Sequence, residues 1–253
     1  YAADNIPEQK LAVAVEVFPF IIPDELNFIP DMNCYGGPGQ AGSPRFNESH
    51  RIAHYNRCVL NRVPYSQSGR IHEDAIPAVA GEGKDLRVTD WSAFDKNWGP
   101  LLDGSLFADL PRAGVPVRNL YVPMCEFWPA GHDKYYAWDG LGDNSKESYV
   151  RHMMEAPLAD EAFAQPYRDA IVKITGEFVR HYRAKGYDRT AVQFYLNNKW
   201  GTGSSGRKTS SNATWYILDE PYNWVDWHTL VFYSKLFHQG LKDVAAEAAG
   251  LHF

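Results

Sequence analysis

The sequence predicts an α/β fold, a (β/α)-barrel of the TIM type that is incomplete or split in this chain. Strand-like apolar runs alternate with helix-like segments along the 253 residues, in about five such units. A complete barrel of this type has eight units in roughly 250 residues. Long polar loops take up much of this chain, and only residues 221–253 follow the last predicted strand, so we expect closing strands to be missing.

Residues 1–25 are predicted to form an N-terminal β segment, and residues 26–253 to form the barrel-like domain. The run at 11–22 is rich in β-branched and aromatic residues, which is typical of a strand. We expect this run to be the last strand of a preceding β domain. Residues 28–35 are predicted to be the next strand, which leads into a glycine-rich turn.

The remaining elements are predicted from hydrophobic spacing and capping residues. Apolar residues three and four positions apart indicate helices, whereas short runs of branched and aromatic residues indicate strands. In chain order we expect a helix at 49–57 capped by Ser49, a strand at 59–65, a long polar loop at 66–92, a short helix at 104–110, a strand at 117–126, a helix at 160–185 that restarts at Pro166, a strand at 190–197, a strand at 214–220 and a helix at 225–243.

Composition and charge exclude several classes of protein. The net charge is −6, so a nucleic acid held through its phosphates is not expected. No run reaches the roughly 18 apolar residues of a membrane span. Three cysteines without a CxxC pair indicate neither a disulfide framework nor a zinc cluster, and we expect no metal and no cofactor. The chain begins with Tyr1, which suggests a trimmed or partial chain, and a periplasmic or secreted location is favoured over a cytoplasmic one.

Polar residues stand at the ends of the predicted strands. Parallel strands present their carboxyl ends at one edge of the sheet, and barrels of this type bind ligands there. The alternative is that polar residues simply resume where each strand stops. The polar strand ends are Asp31 and Asn33, then Tyr65, Ser66 and Gln67, then Glu126, then Asn197 and Asn198, then Asp219 and Glu220. From this set, the residues expected to bind a substrate are Asn33, Tyr65, Glu126 and Asn197.

Aromatic residues are abundant in the chain, with eight Trp, fifteen Tyr and thirteen Phe. Sugar rings stack their C–H faces on flat aromatic side chains. We therefore expect Trp128 and Trp200, in loops beside the strand ends, to bind a sugar. The alternative is that each of them is a loop anchor packed on the rim of the barrel.

The run at 214–218 ends in two adjacent carboxylates, Asp219 and Glu220, before Pro221. Glycosidic cleavage needs a proton on the leaving oxygen and stabilisation of an oxocarbenium-like centre. A partly buried Glu with a raised pKa can donate that proton. Pro221 ends the strand, so the backbone can turn and let both carboxylates face one pocket. The alternative is a helix-entry turn with polar caps for the last helix.

Three segments resemble the DUF4091 group of glycoside-hydrolase-like TIM-barrel proteins, which is related to the β-N-acetylgalactosaminidases of glycoside hydrolase family 123. They are LNFIPDMN at 26–33, FDKNWGPLLDGSLFADLP at 94–111 and YILDEP at 216–221, and the resemblance spans most of residues 11–243. Asp-Glu-Pro alone is a weak motif, and its order after the other two segments makes it more specific. Complete members have further strands and usually a preceding β-sandwich, which are largely missing here.

The resemblance implies a β-N-acetylhexosaminidase-type enzyme that uses substrate-assisted, retaining hydrolysis. In the characterised family, the 2-acetamido oxygen of the sugar attacks the anomeric carbon, supported by an adjacent Asp-Glu pair. Carried over, Asp219 orients the acetamido group and Glu220 acts as acid/base. A second mechanism stays open, because Glu126 and Glu220 would form an ordinary two-carboxylate pair if they faced each other across a pocket.

A different function is that of a non-catalytic carbohydrate-binding or structural subunit on a degenerate barrel. A homo-oligomer or a partner segment would then complete the barrel. The position of Glu220 discriminates between the two functions. A carboxyl group buried in a pocket near Asp219 or Glu126 favours the enzyme, whereas an exposed carboxyl group or a structural ion pair favours the subunit.

Two further patterns are expected to carry no chemistry. His50 and His54 lie four residues apart, a metal-ligand spacing, but the residue after His50 is Arg rather than the Glu of a zinc protease. We therefore expect a solvated or capping pair. The glycine-rich run at 201–206 precedes a predicted strand rather than a helix, so we expect a polar loop and not a phosphate cradle.

Overall fold

The computed structural model describes residues 10–24, 27–34, 37, 39–62, 72–131, 157–196, 218, 220–221 and 224–253. Strands and helices alternate along most of this length. In chain order the elements are β1 Asp31–Cys34, α1 Pro44–Tyr55, β2 Val59–Arg62, β3 Ala78–Ala80, β4 Arg87–Asp90, α2 Ser92–Leu102, β5 Asn119–Val122, α3 Ala159–Ala162, α4 Gln165–Lys185, β6 Ala191–Phe194, α5 Trp224–Lys242 and α6 Ala245–Ala248. Short 3₁₀ turns lie at Glu73–Ala75, Gly83–Asp85 and Ser105–Phe107.

Two pairs of parallel strands form the centre of the fold. β1 pairs with β2, with Asp31 opposite Val59, and β5 pairs with β6, with Asn119 opposite Ala191. Because parallel strands need a crossover between them, the α1 and α4 connections make βαβ units, as the alternating sequence pattern predicts. β3 and β4 form a separate antiparallel hairpin.

Side chains join the two parallel pairs into one strand order. Asn61 of β2 donates from Nδ2 to Asp31 Oδ2 at 3.0 Å and accepts at Oδ1 from the backbone N–H of Tyr121 at 2.9 Å. Asn119 of β5 donates to the same Asp31 oxygen at 2.6 Å. β2 therefore lies beside β5, and the strands follow the order β1, β2, β5, β6.

The C-terminal segment extends this order by one position. His252 forms a parallel bridge with Ala191, and its carbonyl accepts from the N–H of Val192 at 2.6 Å. β6, α5 and this segment therefore make a further βαβ unit. Within the described ranges the strands do not close into a barrel, and the TIM-type architecture stays a prediction that the consecutive strand order favours.

The hydrophobic core lies between one face of the sheet and the helices. Leu120 and Val122 of β5 belong to the same buried cluster as Ile171, Ile174 and Phe178 of α4. α5 packs along α4 and also contacts the sheet, where its Phe237 stacks on Phe194 of β6 with ring centroids 4.0 Å apart. The apolar residues that lie three and four positions apart in the α4 sequence form the stripe that this helix buries against the sheet.

Both ends of α4 follow from its sequence. Pro166 lies in the first turn, where its missing N–H costs no hydrogen bond. Gly186 ends the helix in the left-handed region, with φ of 71°, and its N–H bonds to the carbonyl of Arg183. The predicted restart at Pro166 is confirmed, because the short α3 ends just before it.

The start of α1 corrects the sequence prediction. Ser43 rather than Ser49 caps the helix, and its Oγ accepts from the N–H of Phe46 at 3.2 Å. Pro44 follows the cap, which is the position that proline favours. Ser49 instead lies within the helix, where its hydroxyl donates to the carbonyl of Arg45 at 2.8 Å.

Two elements were not predicted from the sequence. The predicted loop at 66–92 contains the β3–β4 hairpin, whose strands are too short and too exposed to show a clear period of two. α2 contains Gly99 and Pro100, which normally end helices. The helix was predicted at 104–110 instead, where the structure has only the 3₁₀ turn Ser105–Phe107. Residues 63–65 of the strand predicted at 59–65 lie outside the described residues.

The N-terminal run is extended and exposed. Apolar side chains along 11–22 face solvent, and the segment is not part of a sheet in the residues that the structure describes. Its end is held by two guanidinium groups. Arg57 donates to the carbonyls of Ile22 and Pro23, and Arg112 donates to the carbonyl of Asp24 at 2.7 Å. The assignment of residues 1–25 to a preceding β domain stays a prediction.

None of the helices in the described ranges has the length and apolar content needed to cross a membrane. This agrees with the sequence, which has no apolar run of roughly 18 residues.

Candidate functional site

One face of the sheet carries polar side chains from neighbouring strands. Alternate residues of a strand point to the same face, so Asp31 and Asn33 of β1 share the face of Asn61 in β2. Asn119 and Tyr121 of β5 lie on this face too, as their hydrogen bonds show. Near the carboxyl edge, the exposed Asn33 accepts from the hydroxyl of Tyr121 through its Oδ1. This hydrogen bond orients the amide group of Asn33.

Tyr121 also contacts, through its ring, the residue that follows β6. It stacks on Tyr195, with ring centroids 4.9 Å apart and planes inclined by 28°. An open cleft of about 480 Å³ lies beside this pair. From the sheet it is lined by Tyr121, Gln193 and Tyr195, and from α5 by Leu230, Ser234 and His238. Aromatic rings next to amide and hydroxyl groups suit a ligand that has both apolar and polar faces.

Glu126 is fully buried in the turn that follows β5. The turn is closed by Cys125 and Trp128, which exchange backbone hydrogen bonds of 3.2 and 3.3 Å. The Tyr167 hydroxyl of α4 donates to the carbonyl of Glu126 at 2.9 Å. That proton is used, so the Tyr233 hydroxyl of α5 must donate to Tyr167 across their 2.7 Å contact. Two helices thus hold this turn at the carboxyl edge.

Two groups close to Glu126, the Cys125 thiol and the Tyr167 phenol, stay uncharged at neutral pH. Burial raises the pKa of the Cys125 thiol well above its usual range, and the charge of Glu126 raises it further. Burial likewise raises the pKa of the Tyr167 phenol, although the hydrogen bond with Tyr233 acts in the opposite direction. A thiol that stays protonated at neutral pH is a poor nucleophile, so Cys125 serves packing rather than covalent catalysis.

Trp128 is a core residue in the described conformation. It is only 5% exposed, and its ring packs edge-on against Phe178, with centroids 6.2 Å apart. Its peptide bond to Pro129 is cis. A sugar platform needs an open ring face. The structure therefore places Trp128 behind the edge, in agreement with the loop-anchor alternative rather than with direct stacking.

The acid pair lies in the connection between β6 and α5. α5 leads from this connection to His252, which pairs in parallel with the start of β6. Helix α5 must therefore run from the carboxyl edge of the sheet back to its amino edge. Glu220 precedes the first residue of α5, Trp224, by only four positions and so belongs to the carboxyl edge. By this argument Asn33, Glu126 and Glu220 belong to the same edge, and their joint role in a site stays a prediction.

Leu218 and Glu220 differ in burial. Leu218 lies at a bend and is buried, whereas the side chain of Glu220 is exposed. The predicted strand at 214–220 falls mostly outside the described residues, and Leu218 itself is not in a strand. Because His252 occupies the position beside Ala191, the next strand in the order is the C-terminal segment.

Several predicted site residues lie outside the described residues. They are Tyr65, Asn197, Trp200 and Asp219. Their roles stay predictions from the sequence. The same holds for the glycine-rich run at 201–206.

Sequence reasoning missed Tyr121, Asn61 and Asn119 as parts of the site. A signal for them was present, because Asn119 and Tyr121 alternate with apolar residues in the predicted strand at 117–126. Polar residues on one face of a buried strand indicate that this face does not meet the hydrophobic core.

The histidine pair is buried, not solvated as expected. His50 Nδ1 lies 2.9 Å from the carbonyl of Phe46, and His54 Nε2 lies 2.9 Å from the carbonyl of Val115. In the part of the chain that the structure describes, His, Cys, Asp and Glu side chains do not gather in groups of three that could hold a metal ion.

Comparison of the chain with protein-family models, with curated proteins and with solved structures finds no match. The resemblance to DUF4091 and glycoside hydrolase family 123 therefore stays a prediction that rests on the three sequence segments.

Proposed function

We propose that the chain is a carbohydrate-active glycoside hydrolase built on a TIM-type barrel scaffold. The proposal is supported mainly by one observation, the consecutive order of β1, β2, β5, β6 and the C-terminal segment. That order brings Asn33, the Glu126 turn and the connection of Glu220 to the carboxyl edge, where α/β barrels bind substrates.

In the proposed reaction the substrate supplies its own nucleophile. The 2-acetamido oxygen of a β-N-acetylhexosaminide attacks the anomeric carbon while Asp219 orients the acetamido group. Glu220 donates a proton to the leaving oxygen as the glycosidic bond breaks. Glu220 then takes a proton from water, which attacks the anomeric carbon and restores the acetamido group. Two attacks at one carbon give overall retention of configuration.

A two-carboxylate mechanism is the alternative chemistry at the same edge. Glu126 is a second acid near that edge and is fully buried. Carboxyl groups about 5–5.5 Å apart would give retention through a covalent intermediate, and a separation of about 6.5–9.5 Å would give inversion. The stereochemistry of the product and its dependence on the acetamido group separate these mechanisms.

A second candidate function is favoured by the exposure of Glu220. An exposed carboxyl group, rather than one buried in a pocket, is what the subunit function predicts for Glu220. A non-catalytic carbohydrate-binding or structural subunit would need no buried acid. As an enzyme, the chain must cover Glu220 when substrate binds, which a binding subunit need not do.

Substitution Glu220→Gln tests the proposal on a panel of aryl N-acetylhexosaminides and plain aryl hexosides. We expect turnover of the N-acetylated substrates by the wild type and a loss of about 10²–10⁴-fold in the variant. Glu247→Gln, at a half-buried acid of α6 that lies 3.9 Å from the Arg180 guanidinium, is the matched control and should keep full activity. Equal turnover by wild type and Glu220→Gln would remove the acid/base role.

A further inference from the structure

The polar face of the sheet holds one carboxylate in a fixed orientation. Asp31 of β1 accepts a hydrogen bond from Asn61 Nδ2 at 3.0 Å and another from Asn119 Nδ2 at 2.6 Å. The two amides belong to β2 and β5, so three neighbouring strands meet at this carboxyl group. Asn61 is fully buried and Asn119 is 4% exposed. Burying an amide is unfavourable unless it is hydrogen-bonded, so these contacts make the orientation of Asp31 part of the fold.

Both hydrogen bonds end on the same oxygen of Asp31, which is Oδ2. The other oxygen, Oδ1, accepts no hydrogen bond from the residues that the structure describes, and the carboxylate forms no ion pair with them. Asp31 is exposed, whereas the two asparagines that hold it are buried. Asp31 therefore presents Oδ1 as an oriented, charged acceptor on the polar face of the sheet.

A ligand that meets this oxygen must donate a hydrogen bond or carry positive charge. In the described part of the chain, Asp31 does not gather with other His, Cys, Asp or Glu side chains into a group of three that could hold a metal ion. Toward the carboxyl edge its neighbours on this face are neutral, the amide of Asn33 and the hydroxyl of Tyr121. One carboxylate among neutral polar groups suits an uncharged ligand with several hydroxyl groups, one of which donates to the carboxylate in a charge-assisted bond.

The depth of Asp31 below the carboxyl edge favours one hydroxyl group of a sugar. Asp31 is the first residue of β1, and Asn33 lies two positions nearer to the carboxyl edge. At about 3.3 Å per residue, the two positions are separated by roughly 7 Å along the strand, a span comparable to that of one pyranose ring with its hydroxyl groups. A sugar whose anomeric carbon lies at the carboxyl edge therefore directs the hydroxyl group on the opposite side of its ring, the one on C4, toward the level of Asp31.

We propose that Asp31 determines sugar specificity by accepting, through Oδ1, a hydrogen bond from the 4-hydroxyl group of the sugar bound at the carboxyl edge. Asn61 and Asn119 hold Oδ2 and so keep Oδ1 directed at the sugar. The inference rests on the proposed function for the class of ligand, and it adds a residue that the proposed catalysis does not use. A carbohydrate-binding subunit would use Asp31 in the same way.

Calorimetric titration of wild type and Asp31→Asn with N-acetylgalactosamine, N-acetylglucosamine and their shared 4-deoxy analogue tests the proposal. The oxygen of the new amide can still accept from Asn61 and Asn119, while its uncharged NH₂ group takes the place of Oδ1. We expect the wild type to bind the preferred sugar about 10–150-fold more tightly than the 4-deoxy analogue, and this preference to shrink about 5–10-fold in the variant. Asp188→Asn, at an exposed acid before β6, is the control and should keep the wild-type preference.

The wild type alone already tests the inference, because equal affinity for the sugars and the 4-deoxy analogue would overturn it. An unchanged preference in Asp31→Asn would overturn it as well, since the hydroxyl group would then be bound elsewhere. Hydrolysis of the aryl glycosides tests the proposed function separately. Turnover without a preference for the 4-hydroxyl group would remove only the role of Asp31. The preference without turnover would support that role and contradict the hydrolase, and absence of sugar binding would contradict both.

Discussion

At the residue scale, the pair of Asn33 and Tyr121 shows how the sheet prepares its carboxyl edge. Tyr121 reaches from β5 over β2 to the amide of Asn33 in β1, and its ring stacks on Tyr195, the residue that follows β6. One side chain thus connects β1 and β5 with the end of β6. An amide whose oxygen is already engaged presents its NH₂ group in one orientation, and preorganised polar groups of this kind favour specific binding.

Tyr121→Phe should weaken the proposed site more than the fold. The hydroxyl is lost while the stacked ring stays, and Asn33 is exposed enough for water to replace the bond. We expect a loss of at most about 1.5 kcal/mol in the free energy of unfolding and a clear rise in KM for an aryl N-acetylhexosaminide. Tyr55→Phe, at an exposed tyrosine of α1, is the control. Unchanged KM in Tyr121→Phe would exclude Asn33 from substrate binding.

The buried histidines predict that acid destabilises the fold. Burial holds the pKa of His54 at about 4 in the folded chain, against about 6.5 when unfolded. The unfolded chain therefore binds the proton more readily between these values, so stability is full above about pH 6.5 and falls as the pH drops toward 4. The slope is at most about 1.4 kcal/mol per pH unit for each such group.

Urea unfolding of wild type and His54→Phe at pH 7 and pH 5 measures this effect. The variant should lose less stability than the wild type between the two pH values, whatever its stability at pH 7. His238→Phe, at an exposed histidine of α5, controls for the loss of an imidazole and should keep the wild-type difference. Equal differences in wild type and His54→Phe would contradict the account of the buried ring.

At the scale of elements, the contact between α4 and α5 depends on Gly240. A Cβ atom there would lie 2.6 Å from Cβ of Thr175 and 2.7 Å from the carbonyl oxygen of Val172. Backbone cannot move aside cheaply, so Gly240→Ala should force the two helices apart. We expect a loss of about 1–3 kcal/mol in the free energy of unfolding.

Gly176→Ala on α4 is the matched control for Gly240→Ala. Its new Cβ would meet Val244 Cγ1 at 3.3 Å, a contact with the end of a side chain. Alanine also favours a helix interior by about 1 kcal/mol over glycine. Thermal unfolding should therefore show a small change for Gly176→Ala and a clearly lower melting temperature for Gly240→Ala. Similar melting temperatures would contradict the close packing at Gly240.

The elements show which parts of this fold are predictable from the sequence. α4 is predictable because Pro166, Gly186 and the apolar spacing between them agree locally. α1 is predictable as a helix, but its cap was misjudged because two serines compete and only Ser43 precedes a proline. The bond between Asp31 and Asn119 joins residues 88 apart, so it depends on strand register that no local pattern contains.

At the scale of the whole molecule, strand order is the main structural finding. Five segments follow one another side by side in the order of the chain, from β1 to His252. A doubly wound sheet would reverse this order at a switch point, whereas a barrel keeps it. The sheet is also polar on the face away from α4, where Asn33 and Gln193 are exposed. The closed barrel itself stays a prediction from the sequence, because the described strands do not close.

The central claim is that Glu220 protonates the leaving group of a glycoside. The most direct test compares kcat/KM of wild type and Glu220→Gln on N-acetylhexosaminides with leaving groups of different acidity. A good leaving group such as 2,4-dinitrophenol departs without a proton, so kcat/KM for its glycoside should fall only slightly in the variant. For a poor leaving group such as an alcohol, kcat/KM should fall about 10²–10⁴-fold. The same loss for every leaving group, or no turnover by the wild type, would contradict the account.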